Sequence, residues 1–384
     1  MNLKRFFRVR HFLKAILNWL SDGIVIRKID NTKNKTLLIV RIEAIGDYFH
    51  FRNFLKTVKE SKKYKDYKIT LCGNIMYKDI AEIFDKNEID EFIWINRKQF
   101  TDDKKYRKQV ISDINSKGFH SAIQPNFSRE FLIGDSIIRA SNAFERIGSK
   151  GDTTNDIYIF KFISDSWYTE LLEIPVSKIW EFDRNKAFFE KLLEQKIDLI
   201  IPTLNYPPKV KEEYIVIFPG AGEKIKQWPE DNFAKLINNI TQKYDVKIKI
   251  CGSSQDSVLA DLIIENSNVL GIENLCGKTT LVELIDVISK CKILITNDSS
   301  AFHIGACLNT QTICLFMGRH YGRFAPYPKG YDEHLHYIYP DSIKQLLLNE
   351  QEAIRKTKHN QPALIEEITV EQVEKEFDII YNNP

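Results

Sequence analysis

The stretch Ile293-Leu-Ile-Thr-Asn-Asp-Ser-Ser-Ala-Phe-His303 sets an apolar strand directly before a cluster of small polar residues, at a point where a helix is expected to start. A strand-to-helix turn of this kind gathers hydroxyls, a carboxylate and unpaired backbone N–H groups at one place, which suits a phosphorylated ligand. Two other stretches repeat the arrangement: Leu37-Leu-Ile-Val-Arg-Ile-Glu-Ala-Ile-Gly-Asp47 and Ile215-Val-Ile-Phe-Pro-Gly-Ala-Gly-Glu-Lys-Ile-Lys-Gln-Trp-Pro229. Strand ends of this chemistry, expected to face one crevice, point to an enzyme.

Outward from these turns, short strands alternate with helical patterns. Strands are expected near Leu37–Arg41, Lys68–Cys72, Glu91–Ile95 and Ser121–Gln124, with helices after Asp47 and Tyr77 and near Lys104–Lys117. The alternation restarts with strands near Tyr214–Phe218, Lys247–Cys251, Ile293–Thr296 and Thr312–Phe316, and helices near Asp231–Tyr244, Gln255–Glu265 and Leu281–Lys290. This is the pattern of parallel sheets wound by helices. Between the halves, Ile201-Pro-Thr-Leu-Asn-Tyr-Pro-Pro-Lys-Val210 carries prolines that disfavour helix and central strand alike. A chain of 384 residues is long enough for two such domains. The final segment, Ile368–Ile380, reads as a Thr-capped helix with Val370, Val373 and Phe377 at helical spacing.

Fifty-five basic against 52 acidic residues leave a formal charge of +3, which gives no case for a nucleic-acid-coating protein. The six cysteines form no C-x-x-C pair and several lie in or beside apolar strands, as reduced core thiols do, which fits the cytosol and argues against a zinc site. The first twenty residues differ: Phe6, Val9, Leu13, Ile16, Leu17 and Leu20 fall on one helical face, with Lys4, Arg8, Arg10, His11 and Lys14 mostly off it. Such a helix suits peripheral contact with an anionic leaflet, or packing against its own domain, and the sequence leaves both open. Its apolar runs are too short to span a bilayer or form a signal-peptide core.

The familiar nucleotide fingerprints are incomplete. Gly220-Ala-Gly222 begins a G-x-G-x-x-G whose third position is Ile225, and Gly277-Lys-Thr279 ends a P-loop-like run in which Gly271 is one place off. There is also no D-x-D pair of the kind that holds a divalent ion on a pyrophosphate.

Taken in order, the motifs resemble glycosyltransferase family nine, the bacterial lipopolysaccharide heptosyltransferase group. The resemblance runs from Arg41-x-x-Ala-Ile-Gly-Asp47 through Arg146-Ile-Gly148, Pro219-Gly-Ala221 and Lys226-x-Trp-Pro229. It continues through Gly277-Lys-Thr-Thr-Leu281, Thr296-Asn-Asp-Ser299, His303 and Ile368-Thr-Val-Glu-Gln-Val373. It implies an α/β chain of GT-B fold, two Rossmann-like domains with parallel sheets facing across a central cleft. It also implies transfer of a heptose or related sugar, most readily from ADP-heptose, with inversion and without a metal or other cofactor.

In that family the aspartate of the G-D pair, here Asp47, is the proposed general base; helix N-capping is the competing role. Lys226 matches a lysine that balances charge on the departing diphosphate. Asp298, Ser299 and Ser300 match the donor-binding turn, with Ser300 where the family has glycine, and His303 sits one turn further on. Gly220, Ala221 and Gly222 match the backbone approach to the donor. Thr279 and Thr280 match a nucleotide-contacting loop, although Thr280 would also serve as a helix cap. Asp256 or Gln255 falls where family members carry an acidic residue for the ribose hydroxyls. His50 matches a family position whose role stays open.

The expected organisation is a basic amphipathic segment over 1–34, an acceptor domain over 35–200, a linker over 201–212, a nucleotide-sugar domain over 213–345 and a helical segment over 346–384. The expected partners are a nucleotide-diphosphate sugar and a glycan or glycolipid acceptor at the cytoplasmic face of a membrane, with no nucleic acid. The rival reading is a catalytically silent nucleotide-sugar-binding protein with a regulatory or scaffolding role.

Overall fold

The computed structural model describes residues 3–27, 34–177, 179–358 and 363–382. The chain divides into two compact units, Met1–Ile200 and Ile201–Pro384.

The first unit holds six strands: β1 (Thr36–Arg41), β2 (Lys68–Asn74), β3 (Glu91–Ile95), β4 (Ser121–Gln124), β5 (Glu145–Ser149) and β6 (Glu170–Leu172). They lie in the order β3-β2-β1-β4-β5-β6 with every neighbouring pair parallel. From β1 the chain winds outward to β3, then returns to β4 on the other side of β1. The sheet therefore reverses winding direction between β1 and β4, and the carboxyl ends of those strands open a crevice. β1 is buried from Leu37 to Arg41, as a central strand covered on both faces must be, which explains its unbroken apolar run. Leu38, Val40, Cys72 and Ala122 pack with helical Ile111, Ile114 and Ile137. Phe54 stacks on Phe189 at 5.3 Å and meets Phe182 in a tilted contact at 5.0 Å in a further buried aromatic group.

The second unit repeats the plan with β7 (Tyr214–Phe218), β8 (Lys247–Ile250), β9 (Glu273–Asn274), β10 (Ile293–Asn297), β11 (Thr312–Leu315) and β12 (Leu335–Ile338). Their order, β12-β11-β10-β7-β8-β9, is again wholly parallel, with the reversal between β7 and β10. The helix Val370–Asn382 seals this core through Val373, Phe377 and Ile380. Thr369 and Gln372 cap it reciprocally, each accepting the other's backbone N–H. All six cysteines are buried as thiols.

The N-terminal helix spans Leu3–Val25. Phe12, Ile16 and Trp19 pack on the first core, and Ala15 is fully buried. Asp22 receives the guanidinium of buried Arg107 at 2.8 and 2.6 Å. The single face read from the sequence therefore divides: Ile16 belongs to the docked side, while Leu13, Leu17 and Leu20 are exposed. Phe6 and Val9 lie outside the residues whose side chains are described.

Candidate active site

In the second unit, the loop after β7 turns through a short 3₁₀ segment at Lys224–Lys226, and its lysine Nζ lies 2.6 Å from Asp298 Oδ2. The loop is held by Trp228, which is buried, donates its backbone N–H to Asn297 Oδ1 at 3.2 Å and donates its indole N–H to Ile368 O at 2.8 Å. Asn297, buried at the end of β10, donates its amide to Pro219 O at 2.7 Å. One side chain thus clamps the ends of β7 and β10 together at the winding reversal.

Ser299 is the N-cap of the helix Ser300–Cys307 and accepts from the Ala301 N–H at 3.3 Å, while Thr296 Oγ1 lies 3.0 Å from its hydroxyl. Ser300 opens that helix in ordinary helical backbone and is not among the positive-φ residues, so glycine's conformational freedom is not needed there. His303 is buried on the same helix, its Nδ1 3.2 Å from the Tyr327 hydroxyl. Burial drives its pKa down to about 4 against the opposing pull of Asp298, so the imidazole is neutral at physiological pH.

A second group of matched residues gathers around Asp256. Its Oδ2 accepts from the Ser253 N–H and hydroxyl at 2.8 and 2.7 Å. A β-carbon at Gly220 would come within 2.6 Å of this carboxylate, so glycine is what lets the β7 loop approach it. Gly222, by contrast, faces open space. Gly277 joins the group by donating its N–H to Gly252 O at 3.0 Å, which seats the Thr279–Thr280 turn beside the Ser253 turn. Thr280 caps the helix Leu281–Lys290 in a reciprocal box with Glu283, so its hydroxyl is already engaged. Ala221 is half-buried between Gly220 and Gly222.

Sequence reasoning missed cations contributed by the loop after β11. Arg319 pairs with Glu223 at 2.7 Å, and His320, in a left-handed turn with φ 55°, is pushed down to about 4 by burial and by Arg323, Arg319 and Lys226. At this neutral ring the field of Arg319 and Arg323 adds to that of Lys226. No fixed spacing from a recognised motif marked them.

In the first unit, Asp47 lies inside the helix Ile45–Phe49, which corrects the expectation of a helix that begins after it. Ala44 is the N-cap and no side chain caps the turn, so the capping role weighed for Asp47 is excluded. What holds Asp47 is Arg41, 1% exposed at the end of β1. Its Nη2 donates to Asp47 O at 3.2 Å and lies 3.7 Å from Asp47 Oδ1. The same guanidinium faces Glu43 at 3.3 Å and Glu181 at 3.7 Å, and donates to Asn126 Oδ1 at 2.5 Å. Burial opposes the charge on Arg41, but Glu43, Asp47 and Glu181 outweigh it and hold its pKa above the ordinary value. Burial raises Glu43, against Arg41. Nearby, Arg97 donates through Nη2 to both carboxylate oxygens of Glu130 at 2.8 and 2.7 Å.

His50 is buried with its ring edge toward Trp180, centroids 5.8 Å apart, and its carbonyl accepts from Asn185 at 3.2 Å. Arg146 donates to the carbonyls of Ala143 and Trp167, and a β-carbon at Gly148 would strike the Tyr168 ring at 2.5 Å. That motif braces β5, the neighbour of edge strand β6.

The profile of glycosyltransferase family 9 (heptosyltransferase) matches residues 169–349, a little under half of the chain. A lipooligosaccharide heptosyltransferase 2 of Campylobacter jejuni is 33% identical over 101 residues, 26% of this chain and 31% of that protein. The aligned stretch thus spans about a third of the relative's length. Among solved structures, a family 9 glycosyltransferase from Veillonella parvula is similar with a TM-score of 0.69 at 17% identity, covering 92% of this chain and 100% of that one. An E. coli heptosyltransferase solved with ADP-2-deoxy-2-fluoro heptose has a TM-score of 0.63 at 15% identity, covering 90% of this chain and 99% of that one. These structural likenesses carry the GT-B fold across the chain.

Proposed function

From a chain whose matched half and GT-B fold are those of glycosyltransferase family 9, we propose an inverting, metal-independent transferase. It would move a heptose or related sugar from a nucleotide-diphosphate donor, ADP-heptose first, to a lipopolysaccharide-core or other glycan acceptor. The observation that carries this reading is the Lys226–Asp298 pair at the winding reversal of the second unit, directly before the N-terminus of the Ser300–Cys307 helix. Cation and helix N-terminus together favour a diphosphate.

In this reading the acceptor hydroxyl oxygen attacks the anomeric carbon while the bond from that carbon to the diphosphate oxygen breaks. The hydroxyl proton passes to the Asp47 carboxylate. The diphosphate leaves with the bonding electrons, and the Lys226 ammonium with the N–H groups around Ser299 and Ser300 meets its charge. Neutral His303 serves as a hydrogen-bonding group to a phosphate. Asp298 holds Lys226 in place until the donor arrives. Gly220, Ala221 and Gly222 offer backbone to the donor, and Asp256 with Thr279 and Thr280 frames the nucleoside. Asp256 is supported here by a carboxylate held still against the Gly220 backbone.

No helix among the described residues is long and apolar enough to cross a membrane. A cytoplasmic enzyme peripheral to the inner face of the membrane, touching it through residues 1–20, accords with a lipid-linked acceptor.

The direct test is a panel of nucleotide sugars measured by thermal stabilisation and by product formation. A ligand that binds only the folded chain raises its apparent stability. Stabilisation and turnover with ADP-heptose support the proposal, and stabilisation without turnover by any acceptor tried points to the silent binding protein.

A further inference from the structure

The N-terminal helix presents an apolar stripe opposite the face that docks. Leu13, Leu17, Leu20 and Ile24 recur at helical spacing and are 53%, 55%, 55% and 80% exposed. The docked side is satisfied without them, through Phe12, Ala15, Ile16, Trp19 and the buried Asp22–Arg107 pair. Beside it, the helix Tyr158–Asp165 is tied to the first by the stacking of Phe160 on Phe12 at 5.3 Å, and it leaves Tyr158, Ile159 and Phe162 exposed. Exposed apolar side chains of this size, gathered on two helices in contact through Phe12 and Phe160, mark an interaction surface.

Charge decides between occupants. The chain runs through Lys4, Arg5, Arg8, Arg10 and Lys14 before its first acidic residue, Asp22. Asp22 is turned inward and neutralised by Arg107. Lys14 shares a surface pair with Asp102 at 2.7 Å, an interaction that water screens. A second copy of this helix would bring like charges together. An anionic lipid surface would instead accept the cations at its headgroups and the aliphatic stripe at the acyl boundary.

We propose that Leu13, Leu17, Leu20 and Ile24, with Tyr158, Ile159 and Phe162 alongside, form a docking face for an anionic phospholipid surface. The proposal rests on the peripheral reading given above and moves the contact from residues 1–20 as a whole to a defined stripe that ends at Ile24 and continues onto a second helix. The helix lies on the surface and stays folded onto its own unit, so docking leaves the sheet undisturbed.

Flotation of the full chain with phosphatidylcholine vesicles, with and without about a third phosphatidylglycerol, tests this. The wild type is expected to float with the anionic vesicles and not with the neutral ones. The triple variant Leu13→Ser, Leu17→Ser, Leu20→Ser is expected to partition at least about tenfold more weakly while melting at the same temperature. Equal partitioning of wild type and variant overturns the proposal, as does concentration-dependent self-association that the variant abolishes in a chain that ignores vesicles. ADP binding by calorimetry runs in parallel. A chain that floats in a stripe-dependent way yet binds no nucleotide loses the transferase reading and keeps this one.

Discussion

The Lys226 ammonium lies 2.6 Å from the Asp298 carboxylate across the ends of β7 and β10, and both side chains are largely shielded from water. A cation held so close to its counter-ion is positioned before any donor arrives, and its charge is offset until a phosphate competes for it. Lys226→Ala is expected to weaken ADP binding by about ten- to a hundredfold, the range of a lost charge-assisted hydrogen bond. Isothermal calorimetry with ADP reads this directly, and unchanged affinity would show that the lysine serves only to brace the loop.

Arg41 is expected to act through Asp47 without touching a donor. Arg41→Lys keeps a charge but cannot span Glu43, Asp47, Glu181 and Asn126 as the planar guanidinium does. Turnover should fall by at least about tenfold with ADP affinity unchanged. Removing the charge altogether with Arg41→Met strands the buried carboxylates and should cost about 3–5 kcal/mol of stability, measurable by denaturant titration.

His303 should be silent as a titrating group between pH 6 and 8, because burial lowers its pKa to about 4. Its folded pKa lies below the unfolded value of about 6.5, so the unfolded chain takes up a proton first as pH falls. The stability it contributes is complete above about pH 6.5 and is lost on descent toward pH 4. His303→Gln should flatten that part of the stability–pH curve and add no inflection to the rate profile near neutrality.

Asp156 predicts the opposite slope. Burial raises its pKa to about 7, beyond what the Phe131 N–H, donated to it at 2.5 Å, can offset. The folded carboxyl keeps its proton where the unfolded one, with a pKa near 3.9, has lost it, so stability falls as pH rises from about 4 to 7. Asp156→Asn retains an acceptor for Phe131 and should raise the melting temperature at pH 8 while leaving it nearly unchanged at pH 4.

Much of this architecture is legible in the sequence. Central strands such as β1, β7 and β10 are buried on both faces, and their unbroken apolar runs announce them. The short edge strands β6 and β9, of three and two residues, carry too little pattern to stand out. The site divided in the same way. Lys226, Asp298 and Asp47 stand in motifs with fixed spacing, whereas Arg319 and Arg323 come to act on His320 together with Lys226 only through the fold of a loop. Asn297 stands within its motif, yet its clamp on Pro219 depends on a partner 78 positions away. The N-terminal helix misled for another reason. Its apolar residues outnumber what one face can hold, and only the core beneath could decide that Ile16 faces inward and Leu17 outward.

The most direct test of the account is sugar transfer from ADP-heptose measured side by side for the wild-type chain and Asp47→Ala. The account predicts product with the wild type and a rate lower by about 10²–10⁴-fold in the variant, at equal ADP affinity, because a general base contributes on that scale. Equal rates for the two proteins would contradict it.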